Sequence, residues 1–456
     1  MTPRLLILLA SMILALGCAS RQHGRSDPQL VTLDGSLGNR FVPSGQRSDV
    51  VARLRIGTRA IDPARRPGVN VALVVDTSGS MDGPAMEHAR AASLAMLESL
   101  RDGDRFALVT FDARARVLVP SVELTARRRT EASASIRSME ARGTTDLAGG
   151  LRLGLLEVAQ RFRADGINRV VLLSDGVPND RAPLEAMARS AAQHQITITA
   201  LGLGTDFDET VMAQLAQTSG GRFHYVQDSS MVAGVFRDEV LRMQRVVGRN
   251  AVAVLTAGPD VEVQAVVGLP AVRSGNEVRV ALGDITEGST RDIIVRLSVP
   301  GRRNEASVEV LDATLTFADA MDGAGGCERH AFLGARSTSD DARRETGRDP
   351  EVERVAAEAQ LAAGTLEAIR DAREGHVERA QARLDQALTQ AQRMAMLGSR
   401  RLESQRRSVS ALRGALASMR PAPQSPSSAA PAEPVEVQAA AVREAHDEAL
   451  QVLQGD

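Results

Sequence analysis

"VALVVDTSGSMDG", residues 71–83, is the stretch whose reading decides the fold. Val71 to Val75 are apolar without alternation, which reads as a strand buried on both faces, the kind found in parallel sheets covered by helices. The run stops at Asp76, and Thr77, Ser78 and Ser80 follow at once. Two explanations compete. Ser and Asp cap helices by accepting a free backbone N–H, and a helical pattern does begin near residue 84. Alternatively, a carboxylate and a set of hydroxyls form an oxygen-rich nest for a hard cation, which prefers oxygen ligands.

The flanking sequence sets this strand in a series. Apolar runs at 71–75, 105–111, 169–174 and 196–204 alternate with helical patterns at 84–100, 127–140, 147–163, 181–194 and 208–218, and a last helix is expected at 228–245. Such alternation predicts an α/β doubly wound parallel sheet, whose ligands bind at the carboxyl ends of the strands. Two further strand-end regions carry oxygen. "RGTTDLAGGL" (142–151) sets Thr144, Thr145 and Asp146 before a helix, and "VVLLSDGVPND" (170–180) ends a buried run in Ser174 and Asp175. A cap accounts for any one of them. It does not account for apolar strands that twice end in an aspartate, because a carboxylate at a buried strand end needs a partner, and no basic residue stands beside either one.

Asp76-x-Ser78-x-Ser80, the threonine of "GTTDL" and the aspartate of "LLSDG" together resemble the metal-ion-dependent adhesion site of von Willebrand factor type A (VWA) domains. The resemblance implies a Rossmann-like fold and a metal site built from Asp76, Ser78, Ser80, Thr145 and Asp175. It implies Mg²⁺ as the ion, with Mn²⁺ or Ca²⁺ as substitutes, since the ligand set alone does not discriminate. It also implies a protein partner whose Asp or Glu carboxylate completes the metal shell. Neutral hydroxyl ligands leave most of the ion's charge unquenched, which favours that outside carboxylate. Where the family's second loop commonly reads Gly-Gly-Thr-Asn, this chain has Thr144 at the second glycine and Asp146 at the asparagine.

Beyond residue 246 the hydrophobic period changes to two, with strand candidates at 250–258, 260–268, 276–284, 290–300 and 306–319. Residues 247–318 therefore read as a small antiparallel β-sandwich. The alternating "DVVARLRIG" (49–57), within a segment at 47–69, is expected to join it, with the α/β unit of 70–246 inserted between. Residues 19–46 read as a flexible tether and 319–349 as a loop. Helical spacing from 350 to 420 predicts three antiparallel helices, with Gly375 and Gly398 at helix ends. A Pro/Ala/Ser linker at 421–434 precedes a C-terminal helix or disordered tail at 435–456, expected to be exposed and amphipathic.

The first 18 residues, "MTPRLLILLASMILALGC", join one arginine to an apolar stretch too short to span a bilayer. Their end resembles a bacterial lipoprotein signal. That resemblance implies acylation of Cys18, a lipid anchor and a cell-envelope location, with Ala19 after the cysteine favouring the outer membrane, facing periplasm or surface. Cys327 then has no disulfide partner.

The 456 residues carry a net charge of −2, and aromatic residues make up only 2%. Neither charge nor stacking platforms favour nucleic acid as a partner. None of the 55 basic residues is a lysine. The seven histidines are dispersed, and no His-Glu-x-x-His or Gly-x-Ser-x-Gly motif occurs. The chain is therefore expected to be a binding module and not an enzyme. Metal-assisted hydrolysis with Asp175 or Asp146 as base, and a part in an envelope transport or channel-like assembly, are the alternatives. The oligomeric state is not legible in the sequence.

Overall fold

The computed structural model describes residues 30–60, 66–175, 182–203, 209–226, 228–321, 325–393, 399–418 and 435–454. Cys18, Gly398 and the linker at 421–434 lie outside the described residues. Three strands open the fold: β1 (Val31–Leu37), β2 (Phe41–Pro43) and β3 (Ser48–Thr58). The α/β unit follows as β4 (Val69–Asp76), α1 (Pro84–Ser99), β5 (Arg105–Phe111), β6 (Ala115–Glu123), α2 (Ala126–Arg137), α3 (Leu147–Gln160), β7 (Ile167–Ser174), α4 (Ala182–Gln193), β8 (Thr197–Leu203), α5 (Glu209–Thr218), β9 (Phe223–Val226) and α6 (Val232–Met243). Its sheet has the order β6-β5-β4-β7-β8-β9. Every position of β4, β7 and β8 is buried, because helices cover both faces and each face has its own apolar core.

The sheet departs from the expected all-parallel form at one edge, where β6 runs antiparallel to β5. Neither β6 nor β9 is anticipated by the apolar runs. β6 is a half-exposed edge strand that carries Arg116 and Pro120, and β9 is only four residues long, so neither shows the continuous apolar signature of a buried strand.

The second half of the chain holds β10 (Val246–Ala257), β11 (Glu262–Val266), β12 (Ala271–Ser274), β13 (Glu277–Thr286), β14 (Thr290–Val299), β15 (Ser307–Asp319) and β16 (Gly326–Thr338). These form a sandwich with the three N-terminal strands: one sheet is β1-β3-β14-β11, the other β12-β13-β10-β15-β16-β2. β3 pairs with β14 along its whole length, from Ser48 opposite Val299 to Gly57 opposite Thr290. The α/β unit thus lies in sequence between two strands of different sandwich sheets. Where the units meet, Gly220 and Gly283 touch backbone to backbone, both at positive φ; a Cβ on Gly283 would fall 1.8 Å from the Gly220 carbonyl oxygen.

Three expectations are corrected here. The stretch read as a tether at 19–46 is β1 and β2 from Val31 onward. Val31, Leu33 and Leu37 face the core, but Gly35, at the inward position between Leu33 and Leu37, interrupts the apolar face, and pairing with β3 supplies what local propensity lacks. The stretch read as a loop at 319–349 contains β16 and a short helix, α7 (Asp341–Thr346). In β16 the outward Glu328, His330 and Arg336 alternate with buried Cys327, Leu333 and Ala335, and the charged face masks the strand.

The third correction concerns the C-terminus. α8 (Pro350–Arg373), α9 (Val377–Arg393) and α10 (Arg400–Ser418) pack together, and α11 (Val435–Gln454) is not exposed but docked. Ala445 joins the core of these helices, Leu450 joins a core of the α/β unit, and Leu453 packs with Val267 and Ile294 of the sandwich. A helix with three separate partners buries more of its surface than one amphipathic stripe implies.

Candidate metal centre

Parallel pairing of β4 with β7 sets Val75 opposite Leu173, so Asp76 and the Ser174–Asp175 pair emerge at one end of the sheet. Asp76 is fully buried. Its Oδ2 accepts the Ser174 hydroxyl at 2.6 Å, and its Oδ1 accepts the Ser78 amide at 2.8 Å. The Ser78 and Ser80 hydroxyls lie 3.1 Å apart, and Ser80 donates to Asp175 Oδ1 at 2.9 Å. Four of the five expected ligand positions thus form one hydrogen-bonded knot of oxygens.

The cap explanation fails for this loop. Ser78 occupies the N-cap position of a short 3-10 turn, Gly79–Met81, but its side chain caps nothing, and α1 is preceded by Gly83 without a side-chain cap. Capping holds for Asp146, whose Oδ1 accepts the Gly149 amide of α3 at 2.9 Å.

The second loop is laced to the first by backbone bonds. Arg142 N donates to Thr77 O at 2.7 Å, Gly79 N to Gly143 O at 3.0 Å, and Asp146 N to Asp112 O at 2.8 Å. Gly143 has a φ of 73°, which suits glycine, and it turns the chain toward Gly79. Thr145 is half-buried between these anchored points, whereas Thr144 is exposed. His88 is half-buried and meets the Ser229 hydroxyl at 2.5 Å, bridging α1 to the turn before α6; Asp82 and Glu87 are exposed.

Burial pushes the Asp76 carboxyl above its ordinary range, and the Ser174 and Ser78 hydrogen bonds offset this only in part. Its hydrogen-bond donors are a hydroxyl and an amide, neither of which carries charge. A divalent cation is the compensation such a carboxylate lacks. Among the described residues no three His, Cys, Asp or Glu side chains gather as a metal cluster. The centre rests on hydroxyls plus two aspartates, and an oxygen-only set fits a hard cation.

Asp112, just past β5, escaped the sequence reading. It is 3% exposed and pairs with Arg116 and Arg142. Burial alone would raise its carboxyl, but the Arg114 amide and the two guanidiniums hold it below the usual range. The signal was available: "VTFDARAR" is a third buried strand that ends in an aspartate.

The family model of the von Willebrand factor type A domain matches residues 70–238. The chain carries a VWA domain. The uncharacterized protein sll0103 of Synechocystis is 27% identical over 304 residues, a match covering 63% of this chain and 70% of that protein. The uncharacterized protein YfbK of Escherichia coli is 28% identical over 256 residues, which covers 54% of this chain but only 44% of YfbK. Among solved structures, a von Willebrand factor type A protein from Catenulispora acidiphila superposes with a TM-score of 0.70 at 20% identity, covering 85% of this chain and 91% of its own. That likeness therefore takes in the sandwich and helices as well as the VWA domain, and at this identity it speaks for the fold. VWA domains typically serve protein interaction or adhesion.

Proposed function

We propose that this chain is a binding module of the bacterial cell envelope, lipid-anchored at Cys18 at the outer membrane, whose VWA domain grips a protein partner through a divalent metal. Asp76, Ser78, Ser80, Thr145 and Asp175 hold the ion, an all-oxygen set suited to a hard divalent cation, with Mg²⁺ the ion the family resemblance implies. When bound, the ion supplies a Lewis-acidic position for an Asp or Glu carboxylate of the partner. The residues of the chain orient this position: Ser174 fixes one oxygen of Asp76, the Ser78 amide fixes the other, and Ser80 is held between Ser78 and Asp175. The role is adhesion or scaffolding, not catalysis.

The observation that carries the reading is the buried Asp76, given no charged donor among the described residues, at the centre of converging serine hydroxyls. Mg²⁺ titration calorimetry on the full-length chain tests it. Binding by the parent that is lost in Asp76→Ala and in Thr145→Ala, with circular dichroism unchanged, is the expected result. Equal isotherms for parent and variants would overturn the assignment of these residues.

A further inference from the structure

The rim of the metal centre carries positive charge that the ligand positions do not use. Asp112 follows Phe111, the β5 residue that pairs with Asp76. Its single carboxylate accepts Nη1 and Nη2 of Arg116, each at 3.1 Å, and Nε of Arg142 at 3.2 Å. Two guanidiniums on one carboxylate leave an excess of positive charge beside the site. Pairing does not bury them: the Arg142 side chain is 61% exposed and that of Arg116 42%.

Arg142 is the more telling of the two. Its backbone N–H is bonded to Thr77, the residue between Asp76 and Ser78, so its Cα is fixed against the first ligand loop. Its guanidinium is steadied at Nε alone, and among the described residues its two Nη groups make no hydrogen bond. A hairpin tie needs no more than Arg116, which already grips Asp112 with two bonds. An arginine held at Nε with both Nη groups open to solvent presents a fork that matches a carboxylate.

Building on the metal-centre reading, we infer that Arg142, seconded by Arg116, receives a second carboxylate of the partner, so that the site selects an acidic peptide segment over a lone Asp or Glu. The metal, ligated mostly by neutral hydroxyls, and the two arginines have the same sign. Their summed field steers acidic segments toward this end of the domain and weakens with salt.

Two fluorescently labelled Gly/Ser peptides test this, one with a single Asp and one with Asp-Gly-Glu. Their binding to the full-length chain is read by anisotropy with Mg²⁺ and with chelator. The diacidic peptide is expected to bind about five- to tenfold more tightly. Arg142→Gln should remove most of that preference and Arg116→Gln part of it, while Mg²⁺-dependent binding of the single-Asp peptide persists. Equal binding of the two peptides, or a preference that survives the double variant, overturns the rim assignment while the metal reading stands. A diacidic preference that ignores chelator overturns the metal reading and keeps the rim. Failure to bind either peptide overturns both.

Discussion

Acid should loosen α11 through one histidine. His446 is 5% exposed, and its ring meets Phe223 edge-on, with centroids 5.7 Å apart at 82°. Burial first, and then the positive charge of Arg373, holds its pKa down to about 3, against an ordinary 6.5. The docked helix therefore keeps the imidazole neutral where a released helix takes up a proton. For a base whose folded pKa is depressed, the stability is complete above the ordinary pKa and drains away as pH falls toward the folded value. At about 1.4 kcal/mol per unit, the loss is about 2 kcal/mol at pH ~5 and approaches about 5 kcal/mol below pH ~3. Asp447 works the other way, since burial raises its carboxyl, so the raw pH profile of the parent mixes opposing contributions. His446→Leu removes only the imidazole. Hydrogen exchange of α11 and urea unfolding of both proteins, compared from neutral to mildly acid pH, isolate its share. The parent should lose about 2 kcal/mol more than the variant between pH ~7 and ~5, with α11 amides the first to exchange. Parallel profiles would refute the reasoning.

At the junction of VWA domain and sandwich, Glu239 is 1% exposed and accepts from Arg169 at 3.1 Å, Thr199 at 3.0 Å and His224 at 3.0 Å. Burial alone would raise its carboxyl, but His224 and Arg169 hold it well below the usual range. Glu239→Gln leaves the Arg169 charge buried with less compensation and should cost about 3 kcal/mol in urea unfolding. The envelope location has a separate check: fatty-acid labelling of the chain in a bacterial host should mark the parent and spare Cys18→Ala.

The buried strands were legible because helices on both faces favour apolar runs, which β4, β5, β7 and β8 carry over most of their length. The candidate site was legible because a carboxylate at such a strand end is costly unless something compensates it, an argument that needs no coordinates. Asp112 obeys the same logic. Arg114 and Arg116 follow it closely, and what holds it is the Arg114 backbone amide together with the Arg116 and Arg142 guanidiniums. β1, β16 and α11 were misread for another reason. The placement of β1 and β16 depends on pairing with β3 and β15, and that of α11 on Phe223 and Val267, far away in sequence. Local pattern carries no record of such partners.

The two ends of β4 have different tasks, and this separation has a measurable consequence. Asp76 closes one end, while Val71, near the other, lies beside Arg169 on β7. Arg169 donates to Asp284 of the sandwich at 2.6 Å, so the junction sits at the end away from the oxygens. Arg66, shortly before β4, and Gln244, shortly before β10, meet at 2.9 Å. With a rise of about 3.3 Å per residue, roughly 16 Å of fully buried strand separates Val71 from Asp76. Substitutions that far apart with no shared partner act additively. Glu239→Gln should therefore unfold more readily and yet give the same Mg²⁺ isotherm as the parent at neutral pH. If its isotherm weakens along with its stability, the sheet couples junction to metal centre, and the sandwich is part of the binding device and not only its mount.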